Sequence, residues 1–267
     1  MNKTAKLFFG TLCAGVMAAS AAAIAGCGEE KQEITITGST SVNPLMLKLA
    51  AAYEKAHDDV VINVSASGSS EGIKDTINGK NDFAMASRGL KAEETGVVSK
   101  KIADDGIALI VNANCTVSDV SAAEIKALYE SGTPIQDTIK GAISREAGSG
   151  TRDAFEELTK IETLFSGTGF EESNSTSAVI TSVSGNAAGN TVGYISMGSL
   201  SDKVKALKFN GTDATAANVA NGSYALSRPF NIVYKASSLS EAATAFIDFI
   251  LSAEGQQIVT ANGYIAL

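Results

Sequence analysis

Apolar and polar positions follow two different periods along the chain. Short runs rich in Ile, Val, Phe and Met, at residues 34–37, 60–64 and 82–86, have the composition of strands. The stretch from Pro44 to Ala56 instead spaces apolar residues three and four positions apart, as one face of a helix requires. Because strands and helices alternate along the chain, the pattern predicts an α/β fold with mostly parallel sheets.

The same two periods assign the rest of the chain. Further strands are predicted at residues 107–111, 142–144, 192–195 and 230–234, and further helices at residues 70–78, 121–130, 151–160, 176–183, 239–251 and 253–260. Residues 163–190 are rich in Ser, Thr, Gly and Asn and are predicted to be mostly loop, apart from one helix. Ser121 with Glu124, and Ser238 with Glu241, have the spacing of capping boxes.

The beginning of the chain has the pattern of a secretory signal. Lys3 and Lys6 form a basic head, an apolar run rich in Ala and Leu follows, and Ile-Ala-Gly stands before Cys27. The small residues before Cys27 resemble the lipobox of bacterial lipoproteins, which implies cleavage before this residue and a lipid on its sulfur. Residues 1–26 are therefore expected to be a lipoprotein signal peptide and residues 27–32 a polar tether. An ordinary secreted protein with an incidental cysteine is the alternative.

Cysteine usage and charge narrow the possible functions. Beyond Cys27, only Cys115 remains after the predicted cleavage, so no intrachain disulfide is expected. One Cys and the single His57 cannot assemble a metal site. Loss of Lys3 and Lys6 would take the net charge from −8 to −10. Nucleic-acid binding is not expected of a chain this acidic, because it needs basic patches.

Three strand-to-helix junctions share one composition. Residues 38–44, 68–72 and 145–152 each combine glycine with hydroxyl side chains and lead into a predicted helix. A helix N-terminus offers unpaired backbone N–H groups and the positive end of the dipole, which together suit an anion. Any one of these loops alone is an ordinary N-cap. Three that converge at the carboxyl ends of strands would surround a tetrahedral oxyanion with donors.

Arginine, not lysine, supplies the candidate positive charge, since none of the three junctions contains Lys. Arg145 can offer two parallel N–H groups to two oxyanion oxygens, and a surface salt bridge with Glu146 is the alternative for it. Arg88, at the end of a predicted strand, is a second candidate for the same cleft. Arg152 is expected to pair with Glu156, four residues later.

Taken together, these segments resemble the phosphate-binding proteins of bacterial phosphate ABC importers. The resemblance rests on the order and spacing of residues 38–44, 68–73, 82–88, 144–152 and 227–230. It implies a two-lobed periplasmic-binding-protein-like fold of type II, with two hinge strands and the ligand in the cleft. The implied lobes and crossings are residues 33–111 plus 229–267 for lobe 1, residues 112–228 for lobe 2, and crossings near 111–113 and 227–230.

The resemblance also implies a function and its partners. A protein of this family binds inorganic phosphate with high affinity outside the cytoplasm and delivers it to ABC permease subunits with their cytoplasmic ATPase. We therefore expect a binding protein, not an enzyme, without a cofactor or metal. We also expect a monomer that is held at the extracytoplasmic face of the cell membrane through lipid on Cys27.

The same resemblance assigns ligand-binding residues. These are Ser39, Thr40, Ser41, Ser69, Ser70, Ser87, Arg88, Arg145, Ser149, Gly150 and Thr151. Two positions depart from better-known members, since Ser87 and Ala147 stand where those proteins have Asp. The first of those Asp residues accepts a proton from bound phosphate. Here the acceptor role could pass to Ser87, Glu71, Glu146 or Asp153.

Three other functions remain to be weighed at this level. Residues 68–72 fit the Gly-x-Ser-x-Gly pattern of hydrolases, but His57 precedes the serine, whereas such enzymes place the histidine after it. A carrier for sulfate, molybdate or tungstate is the alternative binding function. A phosphate sensor that does not transport is indistinguishable from an importer subunit at the level of sequence.

Overall fold

Residues 31–267 form eleven strands and eight helices, and the structure, a computed structural model, describes this part of the chain. The strands are β1 (Gln32–Gly38), β2 (Val60–Ala66), β3 (Phe83–Ala86), β4 (Val98–Val111), β5 (Asp119–Val120), β6 (Gly141–Arg145), β7 (Phe170–Ser173), β8 (Thr191–Ser196), β9 (Lys205–Ala206), β10 (Lys208–Phe209) and β11 (Ser227–Tyr234). The helices are α1 (Asn43–Ala56), α2 (Ser69–Ile77), α3 (Ala122–Ser131), α4 (Gly150–Thr159), α5 (Thr176–Gly185), α6 (Ala216–Ala220), α7 (Glu241–Leu251) and α8 (Ala253–Ala261). The predicted signal segment and Cys27 lie outside the described residues, and β1 begins at the last residue of the predicted tether.

One mixed sheet runs through this part of the chain in the order β2-β1-β3-β11-β4-β8-β6-β7. At one end β1 pairs in parallel with β2 and β3, and at the other end β6 pairs in parallel with β7 and β8. The long central strands β4 and β11 are antiparallel to each other and to their outer neighbours. The prediction of mostly parallel sheets is therefore right for the two ends and wrong for the centre.

The sheet carries two large hydrophobic cores. The first core packs α1, α7 and α8 against β1, β2 and β3 through residues such as Leu45, Phe83 and Phe246. The second core packs α3, α4 and α5 against β6 and β8 through residues such as Phe155 and Tyr194. Two separate cores on one sheet are the architecture of two lobes, as the α/β type II fold predicts.

Two chain segments cross between the cores, in β4 and at the start of β11. The β4 residues up to Gly106 pair with β11, whereas those from Ile107 onward pair with β8. Ile107 N–H donates to the carbonyl of Leu226 across the crossing at 2.7 Å. The side chains of Ile107–Val111 pack in the second core, although the family resemblance implies that they belong to lobe 1.

A buried ion pair joins the crossing strands. Arg228 Nη2 lies 3.1 Å from Asp105 Oδ2, both side chains are almost fully buried, and Ser196 donates to Asp105 Oδ1 at 2.9 Å. Burial raises the pKa of the Asp105 carboxyl to about 6, and the charge of Arg228 and the Ser196 hydrogen bond partly offset this rise.

Several predicted boundaries change in the structure. The capping box of Ser121 and Glu124 is confirmed, because each side chain accepts from the other residue's backbone N–H. The one proposed for Ser238 is wrong, since α7 starts later and Ser240 caps it by accepting from Ala243 N–H. Residues 98–106 of β4 and all of β7 were not predicted. Both segments contain exposed charged side chains, such as Lys100 and Glu171, and pairing with neighbouring strands decides their conformation.

No helix within residues 31–267 combines the length and the apolar character needed to cross a membrane.

Candidate anion-binding site

The three predicted junctions meet in the structure, together with the end of β3. Ser70 N–H donates to the carbonyl of Gly148 at 3.1 Å, which joins the second junction to the third across the two cores. Ser41 Oγ lies 2.7 Å from Thr151 Oγ1, which joins the first junction to the third. The side chains that sequence placed in separate loops therefore line one small region between the cores.

One group of hydroxyls surrounds Ser87 at the end of β3. Ser39 Oγ donates to Ser87 Oγ at 3.0 Å, and Ser69 Oγ lies 3.4 Å from the same atom. Ser87 N–H in turn donates to Ser69 Oγ at 3.2 Å. All three side chains are buried. Buried hydroxyls that bond to one another keep both donor and acceptor capacity, so this group can present either to a ligand.

A second group of hydroxyls includes Thr176, which was not predicted as a site residue. Thr176 Oγ1 lies 3.3 Å from both Thr40 Oγ1 and Ser41 Oγ, and its side chain is buried. Thr176 is the first residue of α5, whose N-cap is Ser175. Residues 173–177 read Ser-Asn-Ser-Thr-Ser before a predicted helix, so this segment shares the hydroxyl side chains of the other three junctions but lacks their glycine.

Four helix N-termini therefore meet around these hydroxyls, those of α1, α2, α4 and α5. The α2 helix has Gly68 at its N-cap and no side chain there to satisfy its first N–H groups. Ser149 caps α4 by accepting from Arg152 N–H. The first N–H groups of a helix attract negative charge, and four such ends favour one compact anion more than any single end does.

Glycines allow this close approach. A Cβ on Gly150 would overlap Ser69 Oγ and lie 2.8 Å from Ser87 Oγ. A Cβ on Gly72 would lie 2.5 Å from the Cα of Gly38, so α2 packs directly on the end of β1. The backbone can therefore supply donors at short range, which a side chain at either position would prevent.

Arg145 contacts the second group of hydroxyls through Thr40, and its side chain is 1% exposed. Its Nε and Nη2 donate to the two carboxylate oxygens of Glu146 at 2.9 Å each. Nη2 also donates to Thr40 Oγ1 at 2.9 Å, across the two cores. Nη1 is buried and bonds to no protein atom. The Glu146 pair expected as an alternative is thus present, yet it is not a surface pair and leaves one end of the guanidinium free.

The backbone of Arg145 is fixed by Tyr194 of the second core. Tyr194 Oη accepts from Arg145 N–H at 3.1 Å and bonds to Ser144 Oγ at 2.8 Å. Burial raises the pKa of Tyr194, so this phenol stays neutral. It stacks on Phe155 with ring centroids 4.0 Å apart. The second core thus holds the backbone of Arg145 in one position.

Arg88 has a different environment from the one predicted. Its two terminal nitrogens donate to Glu94 at 2.6 and 2.8 Å, to Ser70 Oγ at 2.8 Å and to the carbonyl of Gly89 at 2.7 Å. Its Nε lies 2.8 Å from Asp153 Oδ2. Burial lowers the pKa of Arg88, and the ion pairs with Glu94 and Asp153 outweigh that effect and raise it. Four of the five N–H donors of this guanidinium bond to protein atoms, and Nε faces the charge of Asp153 without forming a hydrogen bond to it. We therefore do not retain Arg88 as a ligand-binding residue.

The three candidate carboxylate acceptors lie in three different places. Glu71 is half exposed and pairs with Lys74 on the surface of α2. Asp153 is held by Arg88 and Lys91. Only Glu146 borders the hydroxyl groups, through its contact with Arg145. Arg152 pairs with Glu156 at 2.8 Å, which confirms that prediction.

His57 lies far from the serines of residues 68–72. It caps the C-terminal end of α1 and stacks on Tyr53, with ring centroids 3.9 Å apart. The first junction lies at the other end of that helix, about 20 Å away at 1.5 Å per residue. A hydrolase nucleophile needs a base within hydrogen-bond reach, so this histidine cannot activate the serines.

Comparisons with known proteins agree with this geometry. A model of the PBP superfamily domain matches residues 21–254. The phosphate-binding protein PstS of Staphylococcus epidermidis is 32% identical over 254 residues, covering 86% of this chain and 77% of that protein. The phosphate-binding protein PstS 2 of Streptococcus agalactiae is 46% identical over 133 residues, 47% of this chain. That match spans 45% of the relative, less than half of its length.

Two solved structures share the fold over most of the chain. One is a phosphate ABC transporter substrate-binding protein from Clostridium perfringens with bound phosphate, at a TM-score of 0.84 and 40% identity, covering 88% of this chain and 100% of that chain. The other is an ABC-type phosphate transport receptor from Vibrio cholerae, at a TM-score of 0.72 and 33% identity with the same coverage of both chains.

Proposed function

Because the chain belongs to the PBP superfamily and, within it, to the phosphate-binding proteins of ABC importers, we propose that it binds inorganic phosphate and delivers it to an ABC permease. One observation carries this proposal. Four helix N-termini meet around the hydroxyl side chains, and the buried guanidinium of Arg145, whose Nη1 has no protein partner, donates to one of these hydroxyls, Thr40. A buried donor without a partner is costly unless a ligand satisfies it, and a tetrahedral oxyanion matches the donors around it.

The ligand residues follow from that arrangement. We assign them as Ser39, Thr40, Ser41, Ser69, Ser70, Ser87, Arg145, Ser149, Gly150, Thr151 and Thr176. Arg145 supplies the positive charge, and the hydroxyl and backbone N–H groups supply direction. The first three junctions contain no lysine. Anion recognition therefore depends on oriented hydrogen bonds more than on net electrostatic attraction.

The two cores are the two lobes that close on the ligand. Supporting this, the chain changes core near Gly106 and again near Leu226. We therefore place the lobes at residues 33–106 with 227–267, and at residues 107–226, which moves the first boundary of the sequence prediction toward the N-terminus. The crossing segments are the hinge, because they are the strands that both lobes share.

Calorimetric titration of the purified protein with phosphate, sulfate and molybdate tests the proposed ligand. We expect phosphate to bind with high affinity and to outcompete sulfate. Ser87 can donate as well as accept, whereas a carboxylate only accepts. We therefore expect the preference for phosphate over sulfate to be weaker than it would be with a buried carboxylate at this position. Equal or tighter binding of sulfate or molybdate would contradict the assignment and favour a general oxyanion carrier.

Attachment to the membrane is the second part of the proposal. The sequence around Cys27 supports a lipid on its sulfur, and residues 27–31 would then tether a monomer at the extracytoplasmic face, next to the permease. Cys27→Ala should leave an uncleaved precursor or release the protein from the membrane, and it should leave phosphate affinity unchanged. Mass spectrometry of the membrane-bound protein that found an unmodified N-terminus upstream of Cys27 would contradict it.

A further inference from the structure

One charged contact between the lobes lies beside the ligand site but does not belong to it. Arg88 Nε lies 2.8 Å, and Lys91 Nζ 2.9 Å, from the same oxygen of Asp153. Arg88 and Lys91 follow β3, which packs in the first core, whereas Asp153 belongs to α4, which packs in the second core. Apart from the Asp105 pair on the crossing strands, these are the ion pairs that join the two cores within residues 31–267.

The cationic side of this contact is rigid. Glu94 accepts from both terminal nitrogens of Arg88 and from Lys91 N–H at 2.8 Å, so it fixes the loop that carries both cations. The side chain of Asn231, on β11, donates to the carbonyl of Arg88 at 2.8 Å. An aspartate that arrives from the other lobe therefore meets a guanidinium that is already oriented, and little side-chain entropy of Arg88 is lost when the contact forms.

The acidic side is coupled to the ligand site. Asp153 lies in the first turn of α4, the helix that begins with Gly150 and Thr151, and an acidic group there also suits the helix dipole. Arg88 directly follows Ser87 and donates to Ser70. Formation of the contact therefore sets the distance between the third junction and the other two. When the lobes separate to release a ligand, this contact must break.

We propose that Asp153, Arg88 and Lys91 form a latch between the lobes, and that this latch sets the dissociation rate of the bound anion. The latch residues do not contact the anion. They act by fixing the positions of the loops that bind it. This proposal rests on the proposed function, since it concerns release of the same anion. Asp153 and Lys91 are partly exposed, so added salt weakens the latch.

Dissociation of radiolabelled phosphate, chased with excess unlabelled phosphate, tests the latch. Asp153→Asn keeps the shape of the side chain and removes its charge. We expect its dissociation rate to rise about tenfold, equivalent to about 1.4 kcal/mol, with the association rate changed less than about twofold. Asp153→Glu should restore part of the wild-type rate. Salt should accelerate dissociation from the wild type and have less effect on the variant.

Two further variants separate the latch from a general loss of charge. Asp213→Asn removes an exposed pair with Lys208 inside one lobe and should dissociate at the wild-type rate. As a single change, Lys91→Gln should accelerate dissociation of phosphate. Added to Asp153→Asn, it should not change the dissociation rate further, because both changes remove the same contact.

The outcomes distinguish the latch from the function on which it rests. If the wild type retains no phosphate, the proposed function fails. If the wild type retains phosphate and Asp153→Asn releases it at the wild-type rate, the latch is absent. A variant that lowers the association rate instead would show that Asp153 acts in ligand capture, which also overturns the latch.

Discussion

Arg145 and Arg88 are both buried, both at or just after the end of a strand, and both next to a hydroxyl-rich helix start, yet they have different environments. Arg145 bonds to Glu146 and Thr40 and keeps Nη1 without a partner. Arg88 has protein partners around its whole guanidinium, with Glu94 and Asp153 as its carboxylates. The sequence positions of the two arginines are alike, and the number of acidic neighbours separates them.

We infer from this difference what a strand-end arginine needs in order to bind a ligand. One carboxylate orients the guanidinium and leaves an edge for a second partner, as Glu146 does for Arg145. Two carboxylates, together with the Ser70 hydroxyl and the Gly89 carbonyl, surround the guanidinium of Arg88, and this arginine then holds protein segments together. The comparison predicts that changes at Arg145 act mainly on binding, and changes at Arg88 mainly on stability and lobe contact.

The largest effect is expected for Arg145→Ala. The change removes two charge-assisted hydrogen bonds to the ligand, each of roughly 1.5–3 kcal/mol, so phosphate affinity should fall by about a hundredfold or more. Calorimetric titration measures it directly. Wild-type affinity in this variant would exclude Arg145 from the site.

Arg88→Ala should lower the stability of the protein more than its affinity for phosphate. It leaves Glu94, whose side chain is 11% exposed, without its cation, whereas Glu146 at 23% is better hydrated when Arg145 is lost. We expect a loss of about 2 kcal/mol in the free energy of unfolding for Arg88→Ala and clearly less for Arg145→Ala. Urea unfolding followed by circular dichroism suits a chain without tryptophan. Equal losses in the two variants would remove the distinction.

Gly150→Ala tests the close approach on which both arginines depend. The new methyl group would overlap Ser69 Oγ, so the lobes could not close to the same distance. Overpacking of this kind costs about 1–3 kcal/mol, and we expect at least about a tenfold loss of phosphate affinity with little change in circular dichroism. Gly89→Ala, where a Cβ meets nothing within 4 Å, is the matched control and should bind normally.

Glu146→Gln should have the smallest effect and acts on selectivity. Glu146 places a negative charge beside the free edge of Arg145, which disfavours a fully deprotonated sulfate more than phosphate carrying a proton. Removing that charge should narrow the preference for phosphate by roughly fourfold, as expected for a unit charge about 5 Å away in a water-like medium. Competition titrations at a pH where phosphate is mainly the monoanion would show it, and an unchanged ratio would contradict it.

Local signals predicted the helices well and the central strands poorly. The helices follow from apolar spacing and caps, as in α1 and in the capping box of Ser121. Residues 98–106 of β4 contain Lys100, Lys101 and Asp104, and no alternation in them predicts a strand. Their pairing with β11 decides their conformation, and contacts between segments far apart in sequence are not visible in a local pattern.

The site divides in the same way. Its loops could be predicted because Gly, Ser and Thr before a helix have a local physical meaning. The two ion pairs of Arg88 could not be predicted, because Glu94 reaches it through a loop turn and Asp153 comes from the other lobe. Thr176 was missed for a different reason, since its segment lies in a Ser-rich stretch where a functional hydroxyl is hard to distinguish from a loop residue.

A crystal structure of the protein with phosphate is the most direct test of the account. We predict a phosphate oxygen within hydrogen-bond distance of Arg145 Nη1, other oxygens on the N–H groups that begin α2 and α4, and no contact with Arg88. A phosphate bound through Arg88, or bound away from Arg145, would contradict the assignment of the site.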